Sequence, residues 1–294
     1  MMRQNRLIGI LLVLVAGLSW SAMCLFLRGL DAAGLAPRSI AAFRSMLACL
    51  FFGLLMLAVK RNAFQVRLRD VWCLAGCGLG SITLFNILYF NVIARTTVGV
   101  AIVLLYTSPI FVTLLSCLFF KETFTWRKGL ALLLVIIGCI LITGVLGGDS
   151  QAAPPVTLPV LLMGLGSGLC YALYSIFGRF AQNRGYSSET ITLYAFIFAG
   201  CAGVFLLDWH QAMPLIAARP SICWQLAGLV IFCTILPYFT YVAGMRNLLP
   251  STAAIIATIE PVMGTLLGVL VFHETLTGSS LIGMILILAA IFIP

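Results

Sequence analysis

The sequence has very little charge for its length. Only 9% of its 294 residues are charged and 62% are hydrophobic, whereas soluble domains contain about 25% charged residues. A soluble fold of this size could not bury so much apolar surface, so no soluble domain is expected. A helix needs about 20 apolar residues to cross a hydrocarbon core roughly 30 Å thick. The chain is therefore predicted to be an all-α polytopic membrane protein with ten transmembrane helices, near residues 7–27, 37–59, 71–93, 98–119, 129–147, 158–180, 189–208, 222–243, 251–272 and 279–294.

Motifs for metal or cofactor chemistry are also missing. Cys73 and Cys77 share a helix face but lack a second pair of cysteines, and all ten cysteines lie within or near the apolar segments. A thiol in such surroundings usually acts as a small apolar residue. The stretch "HETLT" is not a zinc-binding H-E-x-x-H motif, because Thr277 occupies the position of the second histidine. No catalytic residue, metal or cofactor is predicted.

Acidic residues are scarcer than basic ones, 8 against 17, and the net charge is +9. The cations lie mostly in short loops, which is the pattern of the positive-inside rule and not of a nucleic-acid-binding surface. Both termini are therefore expected in the cytoplasm of a cell (inner) membrane protein. The loops 60–70 and 121–128 should then face the cytoplasm, and the Pro-rich linker 148–157 should face outward. The cations expected inside are Arg3, Arg6, Lys60, Arg61, Arg67, Arg69, Lys121, Arg127, Lys128, Arg179, Arg184 and Arg246, against Arg28, Arg38, Arg95 and Arg219 outside.

The two halves of the chain repeat each other. Residues 109–125 and 261–277 are identical at nine of seventeen positions, and "GLSWSAMCLFLR" (17–28) matches "GLCYALYSIFGR" (168–179). Five helices are thus followed by five related helices, and an odd number forces the second copy to enter the membrane from the opposite side. This predicts two inverted repeats, over 1–150 and 151–294. Such repeats characterise secondary transporters, in which the substrate site lies near the midplane between the halves.

The paired stretches "KETFT" (121–125) and "HETLT" (273–277), each following a proline and an apolar helix, resemble the EamA-like carriers of the drug/metabolite transporter superfamily. So does the first helix, which runs through "GLSWSAMCLFLR". The resemblance covers nearly the whole chain. It implies ten helices in two inverted five-helix halves that export small metabolites, often amino acids. The expected partners are a small-molecule substrate and the lipid bilayer, with possible proton coupling and no nucleic acid.

Two charged residues within the spans break the symmetry of the repeat. Glu260 stands where the first half has Ser108, and Arg44 stands where the second half has Ala195. An ionised group near the bilayer centre costs at least ~2.5 kcal/mol and usually marks function. We expect Glu260 to bind substrate and to couple transport to protons, unless it keeps a permanent hydrogen bond to a neighbouring helix. Arg44 could snorkel to the surface, pair with Glu260 or bind a substrate carboxylate.

Prolines and aromatic residues complete the candidate site. Helix kinks are predicted at Pro109, Pro237 and Pro261, either as simple bends or as bends that line a central cavity. Trp20 and Tyr171 occupy matching positions in the two halves, so inversion should place them on opposite sides of one cavity. Aromatic rings there would attract an ammonium group by about 0.5–2 kcal/mol each, although rings near span ends also form the interfacial belt. The predicted substrate-binding residues are Trp20, Arg44, Tyr89, Tyr106, Tyr171, Tyr174, Tyr238 and Glu260.

The function predicted from the sequence is export of a small metabolite by alternating access, with amino acids as the leading substrate class. Efflux of amphiphilic drugs through the same cavity is the first alternative, and a membrane enzyme or lipid-handling scaffold is the second. An enzyme should show a convergent cluster of catalytic groups, which the sequence lacks. Glu122 and Glu274, at the ends of the fourth and ninth spans, are expected to be structural and to find a partner near the next helix.

Overall fold

The computed structural model describes residues 2–145 and 156–293, and every regular element in these ranges is helical. Nine of the helical segments there are long and apolar enough to cross a membrane, and a tenth is apolar but shorter. The predicted all-α fold and its ten helices are confirmed. The predicted linker 148–157 lies outside the described residues, apart from Val156 and Thr157. The spans, numbered 1 to 10, are Gln4–Ala32, Pro37–Val59, Leu68–Ile93, Val98–Phe120, Trp126–Thr143, Leu158–Asn183, Ser188–Leu206, Ser221–Met245, Pro250–Phe272 and Gly278–Phe292.

Five of the spans are interrupted. Spans 3 and 8 are interrupted at corresponding positions of the two repeats, and so are spans 4 and 9. Two short helices, Arg61–Phe64 and Trp209–Ala218, lie between spans, and the second is preceded by Asp208, whose side chain caps it. The interrupted spans consist of Met2–Ser21 and Met23–Ala32 (span 1), Leu68–Asp70, Val71–Ala75, Gly76–Thr83 and Leu84–Ile93 (span 3), Val98–Leu105 and Ser108–Phe120 (span 4), Ser221–Val230, Ile231–Ile235 and Leu236–Met245 (span 8), and Pro250–Ala257 and Ile259–Phe272 (span 9).

Spans 3 and 8 each contain a π-helical segment. Thr83 and Thr234 occupy equivalent positions, and each hydroxyl donates to the carbonyl five residues earlier, at 3.1 Å in both cases. Such segments are rare and occur frequently at functional sites. Pro237 lies in the first turn of the helix that follows the second segment. Span 8 therefore departs from regular α-helical geometry just before this proline.

The packing of the spans is symmetric under exchange of the two halves. Span 5 packs against span 10 and span 2 against span 7, so each of these spans meets its own repeat mate. Span 1 packs against spans 8 and 9, as span 6 packs against spans 3 and 4. Spans 4 and 9 also meet each other, which brings the two interrupted helices to the centre of the interface between the halves.

Ion pairs join the two halves at both ends of the helix bundle. Three of the four pairs lie between partly exposed side chains and contribute little to stability, about 0–1 kcal/mol each, whereas the Asp70 side chain of the fourth is only 8% exposed. Each pair must separate if the halves move apart at that end. At the end predicted to be cytoplasmic they are Lys60–Glu189 (2.8 Å) and Asp70–Arg184 (3.0 Å), and at the other end they are Arg38–Asp208 (2.9 Å) and Arg28–Glu274.

Candidate functional site

The interruptions of spans 4 and 9 fall one turn or less before a proline. Span 4 divides into half-helix 4a (Val98–Leu105) and half-helix 4b (Ser108–Phe120), and span 9 divides into half-helix 9a (Pro250–Ala257) and half-helix 9b (Ile259–Phe272). Pro109 and Pro261 lie in the first turns of half-helices 4b and 9b. A proline has no N–H group and its ring clashes with the carbonyl one turn back. Both helices therefore break just ahead of it.

A cavity lies at these two breaks, between the halves. Its volume is about 20 Å³, which is room for about one or two water molecules. Half-helices 4b and 9b both begin at its wall, so the positive ends of two helix dipoles meet there. The residues that line this first cavity are Tyr106, Ser108, Pro109, Val112, Tyr171, Ser175, Tyr241, Ala254, Ala257, Thr258 and Glu260.

Glu260 is the acidic residue of the first cavity. It lies in the first turn of half-helix 9b, where the helix dipole favours a carboxylate. Tyr106 and Tyr171 line the same cavity beside Glu260. Arg44 attracts it through charge over a longer distance, and no ion pair within 4.0 Å joins these two residues in the part of the chain described. The carboxylate thus lies among tyrosine side chains and has no cation within ion-pair distance in the part of the chain described.

A second, smaller cavity of about 10 Å³ adjoins the first and has aromatic walls. The ring of Trp20 lies 5.5 Å from that of Tyr238 and 6.1 Å from that of Tyr171, measured between centroids. The structure therefore brings the matched pair Trp20 and Tyr171 together at one cavity. Tyr171, Ser175 and Tyr241 line both cavities, and the hydroxyls of the last two share a hydrogen bond of 2.8 Å. The second cavity is lined by Trp20, Ser81, Phe85, Tyr171, Tyr174, Ser175, Tyr238 and Tyr241.

Two predicted site residues lie outside both cavities. Arg44 is only 6% exposed, its Nη1 donates to the Met23 sulfur at 3.1 Å, and its Nε has no hydrogen-bond partner among the described residues. It has therefore not snorkelled to the surface, nor does it line the site in this conformation. Tyr89 stacks on Phe85 with ring centroids 5.3 Å apart. Tyr89 therefore contacts Phe85, which lines the second cavity, without lining that cavity itself.

Several lining residues were not among the predicted site residues. Ser175 lies one turn after Tyr171, and Tyr241 lies one turn after Tyr238, so helical spacing from the predicted residues would have found both. In the sequence, Ser108 is marked only by being the repeat mate of Glu260. Thr258 precedes half-helix 9b, and its place in the cavity depends on the helix break, which a pattern of apolar residues does not reveal.

Glu122 and Glu274 follow the two half-helices in equivalent turns but have different surroundings. Each comes after a residue with positive φ, Lys121 at 57° and His273 at 54°. Glu122 is buried, accepts from Lys128 Nζ at 3.1 Å and from the Ser251 hydroxyl at 2.5 Å, and so links span 4 to spans 5 and 9. Glu274 forms its ion pair with Arg28, and both of these side chains are about half exposed. The predicted partner near the next helix is therefore present for Glu122, as Lys128.

A family model for EamA-like transporters matches residues 7–144 and again residues 158–293, so it accounts for both halves. The chain belongs to the EamA-like transporter family. An uncharacterized transporter from Archaeoglobus fulgidus is 32% identical over 76% of this chain and 79% of its own length. The predicted resemblance is confirmed, and the function is transport of a small molecule across a lipid bilayer, not enzymatic catalysis.

Other relatives of this EamA-like protein carry more specific names. The threonine/homoserine exporter RhtA of Salmonella typhimurium is 27% identical over 73% of this chain and 67% of its own length. Protein PecM of Dickeya dadantii is 25% identical over 76% of this chain and 73% of its own length. A crystal structure of a protein with 18% sequence identity covers 97% of this chain and 95% of its own with a TM-score of 0.78, which shows that the two share a fold.

Proposed function

We propose that this transporter exports amino acids or related small metabolites across the cytoplasmic membrane by alternating access. The observation that carries the proposal is the first cavity, which the side chains of Glu260, Tyr106 and Tyr171 line at the breaks of spans 4 and 9. Interrupted helices at the interface between repeats are where secondary transporters bind substrate. An acidic residue within a span that faces the interior marks a substrate or proton pathway.

The symmetric packing supports the alternating-access part of the proposal. Because spans 1 and 6 make equivalent contacts in opposite halves, exchanging the conformations of the halves gives a second arrangement with similar packing. One arrangement would open the cavity to the cytoplasm and the other to the outside. The ion pairs at each end of the bundle would separate in turn. The distribution of cations favours cytoplasmic termini, and the relative named as an exporter favours outward movement.

Amino acids are the leading substrates because the first cavity is small and polar on one side. The Glu260 carboxylate and the rings of Tyr106 and Tyr171 together would attract an ammonium group through charge, hydrogen bonding and cation–π contact. The relative named as a threonine/homoserine exporter supports the same class of substrate. We further propose that Glu260 carries the coupling proton, since it is the acidic side chain that substrate and water would both reach.

Transport by purified protein in proteoliposomes tests this function. The wild type should exchange L-threonine or another amino acid of a panel in counterflow, and should concentrate it when a pH gradient is imposed. Glu260→Gln keeps the shape of the side chain but removes its titration, so it should lose the response to the pH gradient. Glu274→Gln makes the same change just beyond the end of span 9, at a half-exposed position, and should keep its response to the pH gradient even though it loses the ion pair with Arg28. A Glu260→Gln variant that still concentrates substrate in response to the gradient would exclude Glu260 as the coupling residue.

Efflux of amphiphilic drugs is a second candidate, and the aromatic second cavity is the observation that favours it. Its walls suit a lipophilic cation such as tetraphenylphosphonium. Counterflow in the same proteoliposomes distinguishes the two functions. An amino-acid exporter should exchange L-threonine and should not transport tetraphenylphosphonium. The opposite result, together with its loss in Trp20→Ala, would favour the drug-efflux function.

A further inference from the structure

The two half-helices that begin at the first cavity differ in one respect. Half-helix 9b carries a carboxylate in its first turn, Glu260, which complements the positive end of the helix dipole. Half-helix 4b has no acidic residue there, and its equivalent residue is Ser108. One helix N-terminus at the cavity thus has a built-in anion, and its repeat mate does not.

Ser108 provides a second, independent sign that a ligand binds at this point. Ser108 is 3% exposed and lines the first cavity, and its hydroxyl has no protein hydrogen-bond partner within the described part of the chain. A hydroxyl in such a place normally has a partner, in the protein or in water, and the partner of this one has to come from the cavity. In the same wall, Thr258 donates to the Ile255 carbonyl at 2.6 Å, and Ser175 and Tyr241 bond each other, so these hydroxyls do have protein partners.

We infer that the N-terminus of half-helix 4b, with the Ser108 hydroxyl, is the subsite for the carboxylate of the substrate, while Glu260 holds its ammonium group. This inference rests on the proposed function and names the chemistry that the site recognises. The substrate carboxylate takes the place that a glutamate fills in the other repeat. An α-amino acid carries its ammonium and carboxylate groups on one carbon, so both can bind at one cavity once it opens beyond the one or two water molecules that it holds in this conformation. Arg44, which lines neither cavity, is not needed for this recognition.

The test is whether Ser108 recognises the carboxylate in particular. Counterflow of labelled L-threonine is measured with unlabelled L-threonine or with threoninol added as the inhibitor. In threoninol an alcohol replaces the carboxylate. Ser108→Ala should weaken inhibition by L-threonine roughly tenfold or more, because a hydrogen bond to a charged group is lost, and should change inhibition by threoninol much less. Ser108→Thr keeps the hydroxyl and should restore most of the difference.

Two further variants complete the design. Ser116→Ala removes a fully buried, unpartnered hydroxyl of the same half-helix that lines neither cavity, and it should leave both inhibition constants unchanged. Ser108→Glu makes the repeats alike by supplying the missing carboxylate. It should abolish counterflow of L-threonine, while threoninol should still raise the Tm of this variant in detergent, as a bound ligand does.

The outcomes separate the inference from the function on which it rests. If the wild type exchanges no amino acid of the panel, the proposed function is wrong and the subsite falls with it. If the wild type exchanges L-threonine but Ser108→Ala weakens L-threonine and threoninol equally, or weakens neither, the carboxylate subsite is wrong and the function stands. Selective loss of L-threonine, restored by Ser108→Thr, supports both.

Discussion

Gly168 allows span 6 to approach the break in span 4 more closely than any residue with a side chain would. A Cβ atom at this position would lie 2.6 Å from the Thr107 hydroxyl, 2.9 Å from the Leu104 carbonyl oxygen and 3.2 Å from the Leu105 carbonyl oxygen. Gly17, the repeat mate of Gly168, meets the break in span 9 in the same way, with the Ala257 carbonyl oxygen 3.2 Å from its ideal Cβ position. We predict that Gly168→Ala destabilises the protein and disturbs the first cavity.

The size of the effect follows from which atoms the new methyl group meets. Two are backbone carbonyl oxygens, which cannot rotate away as the end of a side chain can, so span 6 must shift. Overpacking of this kind costs about 1–3 kcal/mol, and alanine returns about 1 kcal/mol of helix propensity relative to glycine. The free energy of unfolding should therefore fall by up to about 2 kcal/mol. By the scaling for domains of 150–250 residues, the upper limit corresponds to a fall in Tm of roughly 4–8 °C.

Gly166 is the matched control in the same helix. A Cβ there would meet the end of the flexible Leu88 side chain at 3.2 Å and nothing else within 4 Å. Gly166→Ala should therefore keep or slightly raise the Tm, because only the propensity term remains. Thermal unfolding in detergent measures both variants, and L-threonine counterflow shows whether the cavity still works. Should Gly168→Ala match Gly166→Ala in both assays, the close approach of spans 4 and 6 has no energetic importance and the reasoning fails.

The remaining predictions concern the paired glutamates and the orientation in the membrane. Glu122→Gln should lower the free energy of unfolding by about 3–5 kcal/mol, because it leaves Lys128, only 8% exposed, without its ion-pair partner. Glu274→Gln, at a half-exposed pair, should lower it by less than about 1 kcal/mol. Similar losses for the two variants in detergent unfolding would contradict this prediction. On a cysteine-free background, an impermeant thiol reagent added outside intact cells should label a cysteine at Asp31 or Ser150 and spare one at Asn62. The reverse pattern would overturn the cytoplasmic location of the termini.

The sequence by itself determined the class of fold and the family. Apolar segments of sufficient length can only be membrane helices, because every backbone group must find a hydrogen bond within its own segment. The repeat of 109–125 in 261–277 then indicated two related halves, and the odd number of helices in each half indicated their inversion. Glu260 was identifiable as a functional candidate because an acid in an apolar span is costly wherever it lies.

The tertiary structure decided which residues share the site. Arg44 and Glu260 looked alike as isolated intramembrane charges, yet only Glu260 lines the cavity, because the orientation of each helix is fixed by its packing against spans far away in the sequence. The π-helical segments at Thr83 and Thr234 left no recognisable pattern of apolar residues. Ser108 acquired its significance only when the breaks of spans 4 and 9 placed it opposite Glu260. Hydrophobicity sets where a helix crosses the bilayer, but contacts between helices set which of its faces meets the substrate.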